Sequence, residues 1–183
     1  MKGNLFMKKI FAIFFAALMV LCFAACNKSD NNNSEGDSNI SMSLEEIINA
    51  VYEKNPVELR LETTSIDISD ADMLKAFTGL DSADKIQEAV VSEPMMGSQA
   101  YSFVLIRLKD AADAEDVANA VIEGIDPRKW ICVEADDVRV ITKGDVVALY
   151  MVGSQFGDEI SGDTVEKVFT EVVGGSIDKV IKK

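Results

Sequence analysis

Few side chains in this sequence could do chemistry, and their types narrow what that chemistry is. The 183 residues include three cysteines and no histidine. Without imidazole there is no Ser-His-Asp or Cys-His nucleophile, no His-ligated zinc and no commonplace general base. The cysteines are Cys22, Cys26 and Cys132, and Cys26 has the most telling neighbours. Lys8 and Lys9 precede an apolar run over residues 10–21, and the small pair Ala24-Ala25 then stands directly before Cys26. That is the pattern of a secretory signal. A cysteine placed there makes it a bacterial lipobox: the thiol takes a diacylglycerol, and cleavage leaves Cys26 as the new N-terminus. The residue three before the cysteine is Phe23 rather than the usual Leu, and Cys22 fails as the acceptor because bulky Leu21 precedes it. The run is shorter than the ~20 apolar residues a spanning helix needs. Translation can start at Met1 or at Met7, where Met7-Lys8-Lys9 opens a more typical signal. One thioether-linked lipid holds a membrane only marginally, so further acyl chains are expected.

The other candidates are weaker. Cys132 stands between Ile131 and Val133, where a strand would bury it as a small hydrophobe rather than expose a reactive thiolate. Acidic groups occur at Asp67-Asp70-Asp72, Asp110-Asp113-Asp116, Asp136-Asp137 and Asp158-Glu159-Asp163. None has the spacing of a calcium loop, and several fall where helix N-termini favour carboxylates, so caps and solvated faces account for them. No glycine-rich phosphate loop is present, and neither a metal nor a cofactor is expected. Met95-Met96 lies between Pro94 and Gly97 at a hairpin tip; the pair is either an exposed contact surface or core folded back under the first helix. Trp130 beside Arg128 and Lys129 is either an interface anchor or a core residue closing the sheet edge.

Composition sets the compartment and the partners. The signal, residues 1–25, carries three lysines and no acid, so its removal takes the net charge from −13 to −16 over 158 residues. Such a charge argues against nucleic acid and against direct docking on anionic head groups. Cys132 is then the only thiol besides the anchor, which precludes an intramolecular disulfide. Residues 27–39 are Asn, Ser, Asp, Glu, Gly and Lys with no large apolar side chain, a composition that cannot offset the entropy of ordering. The chain thus divides into a signal at 1–25, a lipidated cysteine with its tether at 26–40, and one extracytoplasmic domain at 41–183. Its partners are the membrane, through lipid on Cys26, and a protein of the envelope.

Within the domain, Ser43-Leu44-Glu45-Glu46 is a capping box for a helix carrying Leu44, Ile47, Ile48, Val51 and Tyr52, stopped by Asn55-Pro56. Residues 58–68 read as a strand or extended connector, and Ser69 as the cap of a short helix closed by Gly79. Strands are predicted over 86–92 and 100–108, then a helix capped by Asp113 with Asp116 at N3 and Val117, Val121 and Ile125 buried. Trp130-Ile131-Cys132-Val133 begins a return strand. Strands over 138–142 and 146–152 form a hairpin about Lys143-Gly144-Asp145, and a last helix starts near Asp163, paired with Glu166 as a cap. This order gives an α+β fold: an antiparallel sheet with helices packed mainly on one face, the strand-strand-helix unit occurring twice.

Two segments, Val90-Val91-Ser92-Glu93-Pro94-Met95-Met96-Gly97-Ser98 with the strand after it, and Ile125-Asp126-Pro127-Arg128-Lys129-Trp130-Ile131-Cys132-Val133-Glu134, resemble a family of uncharacterised lipoproteins of low-GC Gram-positive bacteria built on a domain of unknown function. The resemblance covers residues 44–153. It implies an anchored extracytoplasmic domain and brings no activity, substrate or catalytic residue. The expectation is a membrane-anchored, non-enzymatic binding or interaction module. The alternative is a carboxylate-dependent enzyme, or enzyme subunit, acting on wall glycan through a Glu/Asp pair.

Overall fold

The Ser43 capping box closes as its sequence requires. The Ser43 N–H donates to Glu46 Oε2 at 2.8 Å and the Glu46 N–H to Ser43 Oγ at 3.2 Å, opening helix α1 over Leu44–Lys54. The computed structural model describes residues 39–183; the signal, Cys26 and residues 27–38 of the tether lie outside the described residues. After α1 come β1 (Leu61–Ser65), α2 (Ala71–Thr78), β2 (Ile86–Pro94), β3 (Tyr101–Leu108) and, behind a 3-10 turn at Ala111–Asp113, α3 (Ala114–Gly124). Then follow β4 (Asp137–Lys143), β5 (Val146–Val152), two 3-10 turns, α4 (Gly162–Val172) and β6 (Lys179–Lys182). The six strands form one antiparallel sheet in the order β1-β2-β3-β5-β4-β6, and the strand-strand-helix unit occurs as β2-β3-α3 and β4-β5-α4.

The α+β class is as expected, but the helices do not gather on one face. Leu74 of α2 and Val117, Val121 and Ile122 of α3 pack on Val91, Val104, Ile106, Leu149 and Met151. On the opposite face Ile47, Ile48 and Val51 of α1 and Val165 and Phe169 of α4 cover Phe103, Leu105, Ala148, Tyr150 and Val152. The reason is visible in the central strands. Every residue of β3 and β5 is buried, and strands covered on both sides read as continuous apolar runs rather than alternating ones. Each fully buried large side chain contributes about 1.5–3 kcal/mol of transfer free energy.

Several caps also differ from expectation. Asp70, not Ser69, caps α2, accepting from the N–H groups of Asp72 and Met73 at 3.0 Å, while the Ser69 hydroxyl donates to Asp67 at 2.6 Å. Asp113 makes no capping bond and instead pairs with Lys85 at 2.7 Å. Ser161 caps α4, because Asp163 and Glu166 are both held by Arg139 at 2.6 and 2.8 Å. Strand β6 was absent from the expected order. The return strand expected from Trp130 does not form: residues 130–134 are an irregular loop before β4.

Two buried arginines lock the ends of the fold. Arg139 of β4 grips Asp137 through two 2.7 Å bonds and reaches the first turn of α4. Arg107 of β3 pairs with buried Asp145 at 2.7 Å and donates to the carbonyls of Ile40 and Met42 at 3.0 and 2.5 Å. The Ile40 N–H donates back to Asp145 at 2.9 Å. The segment entering the domain is therefore fixed at the Arg107 end of β3, where Arg107 faces Val146 beside the β4–β5 turn.

Candidate interaction surface

The surface is built where two connections meet. β2 ends at Pro94, and the turn that follows closes with Gln99 N–H to Met96 O at 3.3 Å and Tyr101 N–H to Gln99 O at 2.9 Å. Among the described residues its apex is uncovered: Met95 and Met96 are 60% and 59% exposed. The second connection leaves α3 at Asp126-Pro127. Asp126 accepts the Arg128 N–H at 2.9 Å, an Asx turn that swings the chain back, and Ala135 N–H closes the loop on Pro127 O at 2.9 Å. Its crest touches the hairpin, with Ile131 N–H donating to Gly97 O at 2.9 Å, and Ile131 is 72% exposed. Of the four large apolar side chains exposed among the described residues, Met95, Met96 and Ile131 meet here, while Met73 lies on α2. Lone exposed apolar residues are ordinary; three on two connections joined by a hydrogen bond are not.

Beneath the crest, Lys129 has its ammonium 5.1 Å from the Phe77 ring centre and 5.3 Å from that of Trp130. It is paired with Glu93 and donates to Ser102 Oγ at 3.3 Å. Burial pulls its proton affinity below that of an ordinary lysine, with Glu93 opposing. A cleft of about 400 Å³ opens beside it, lined by Phe77, Glu93, Asp126, Lys129 and Trp130. Lys129 thus ties the hairpin and the loop together from inside, which holds the apolar crest in place.

The structure places the sequence candidates as follows. Met95 and Met96 are exposed rather than core. Trp130 is half-buried and packs on the core at the edge of the cleft, so it supports the surface more than it presents one. Arg128 is exposed and bonded to Glu134 at 2.9 Å. Cys132 overturns its expectation: it is exposed, with φ +61°, in the loop and not in a strand. Ile131 went unnoticed for the same reason, although Asp126-Pro127 upstream is a turn signal that could have placed it in a loop.

The acidic groups act locally. Asp67 and Asp136 are held below the usual carboxylate range by bonds from Ser69 and Ser154, and Asp163 by Arg139 and Lys182. A glycan-cleaving acid needs the opposite, a carboxyl kept protonated by an apolar pocket. Among the described residues no three Cys, Asp or Glu side chains are grouped to hold a metal, and no helix is long and apolar enough to cross a membrane. The chain matches no family model, no curated protein and no solved structure.

Proposed function

We propose that the chain is an outward-facing lipoprotein, lipidated on Cys26 and tethered by residues 27–39, whose folded domain docks an envelope protein through the crest formed by Met95, Met96 and Ile131. The observation that carries this reading is the junction, at Ile131 and Gly97, of the two connections that bear the three exposed apolar side chains, on a support fixed by Lys129, Glu93 and Trp130. Their position adds to it. The chain enters the domain at the Arg107 end of β3, and the crest lies beyond Tyr101 at the other end, about 20 Å away at ~3.3 Å per residue. The resemblance to anchored lipoproteins supports the same reading.

The anchor half is tested by acyl labelling of the full chain in a Gram-positive host. Cys26→Ala abolishes incorporation of labelled palmitate and leaves an unprocessed precursor. Labelling that persists, or that disappears only with Cys22→Ala, contradicts the assignment of the cleavage site.

A further inference from the structure

The two edges of the sheet are finished differently. β6 is four residues long and begins and ends with lysine, the device by which natural sheets discourage edge pairing. β1 has no lysine, no proline and no bulge; Glu62 is its only charge, and Glu62, Thr63, Thr64 and Ser65 are all exposed. Its hydrogen bonding follows from the residues on either side. Met95 N–H donates to Arg60 O at 3.3 Å and Ile66 N–H to Ala89 O at 2.9 Å, in line with the register Leu61↔Pro94 to Ser65↔Val90. Bonded pairs alternate along an antiparallel ladder. Glu62 and Thr64 therefore bond to β2, while the N–H and C=O groups of Leu61, Thr63 and Ser65 point to the open edge. Pro94, which has no N–H, sits opposite Leu61, at a pair that requires none.

We propose that a second copy of this chain pairs on that edge, β1 against β1, antiparallel about a two-fold axis at Thr63. In this register Leu61 faces Ser65 of the second copy, Thr63 faces its own equivalent, and every open N–H and C=O of both strands finds a partner. Glu62 faces Thr64 of the second copy. A register centred on Glu62 sets two carboxylates directly opposite each other, and one centred on Thr64 leaves Leu61 unpaired. The assembly closes on itself, because pairing uses both β1 edges and leaves only the lysine-ended β6 edges outside. Each strand offers only five residues, an interface below the standard size of stable complexes. The dimer is consequently populated where tethering concentrates the chains, a point that rests on the proposed anchor; the register does not. The entry points lie at opposite ends of the paired strands, and a tether of 13 residues, about 45 Å when extended, lets both reach one membrane.

The test uses the full chain in isolated membranes, in a Cys132→Ser background, treated with a short bis-maleimide. Thr63→Cys gives cross-linked dimer at least tenfold above Glu123→Cys, an exposed control on α3. Adding Ser65→Pro returns it to the control level, since the Ser65 N–H serves the open edge and not the β2 ladder. Ser65→Lys does the same if the proline variant fails to fold. Cross-linking of Thr63→Cys no greater than the control overturns the proposal. So does cross-linking that survives both substitutions at Ser65 in a folded protein.

Discussion

Met95 and Met96 leave more than half of their surface in water, so replacing them removes apolar area without opening a cavity. Met95→Ser/Met96→Ser is expected to shift the free energy of urea unfolding by no more than ~0.5 kcal/mol. A loss of ~2–5 kcal/mol, the cost of truncating a buried methionine, would show that the pair is core after all. Individual residues were unevenly legible. Pro94 and Gly97 bracket the methionines, so the hairpin tip could be read, but its burial could not, since that depends on the loop from α3 that comes to rest against it. Ile131-Cys132-Val133 has the composition of a strand, whereas the left-handed backbone at Cys132 goes with the loop's closure on Pro127 and Gly97.

At the scale of elements, local signals served best where one residue acts alone and worst where several competed. The Ser43 box and Gly79 satisfy their own backbone and form as expected; the β4–β5 turn forms as expected too, with Gly144 N–H donating to Asp178 at 2.7 Å. Asp113, Asp163 and Glu166 looked like caps but were taken by Lys85 and Arg139, partners distant in sequence. The β6 strand, short and flanked by lysine, has no run long enough to declare itself. The closest approach between elements carries its own prediction. α2 ends at Gly79 and α3 at Gly124, and a Cβ on Gly124 would lie 2.1 Å from Gly79 O. Glycine to alanine in a helix ordinarily gains up to ~1 kcal/mol. Gly124→Ala is expected to reverse that sign and lower the thermal midpoint, as overpacking costs ~1–3 kcal/mol. A raised midpoint would mean that the two helix ends are not in contact.

The domain over residues 39–183 is a sheet with helices on both faces, and its aromatic side makes it sensitive to alkali. Tyr101 stacks edge-on against Tyr150 with ring centres 5.5 Å apart, and its hydroxyl donates to Tyr52 at 3.1 Å. Burial pushes all three phenols above the ordinary value of 10.0. A raised folded pKa means that the folded state keeps protons the unfolded chain has lost. Stability from these groups is thus complete below pH ~10 and declines as pH rises further. The urea midpoint is expected to hold between pH 8 and 9.5 and to fall by pH 11, with a shallower fall in Tyr101→Phe. An equal fall in both would place the sensitivity elsewhere. At this scale the sequence revealed class and order but not layering. The apolar runs over 103–106 in β3 and 146–152 in β5 carry the sign of cover on both faces, which the order of elements alone does not.

The claim that the crest is a docking surface is tested most directly by contact in place. A photo-reactive amino acid at position 96 of the full chain, irradiated in intact cells, is expected to give a discrete adduct with another protein, lost in Ile131→Ser. The same probe at exposed Ser82 is expected to give none. No adduct from position 96, or one equally strong from position 82, would contradict the account.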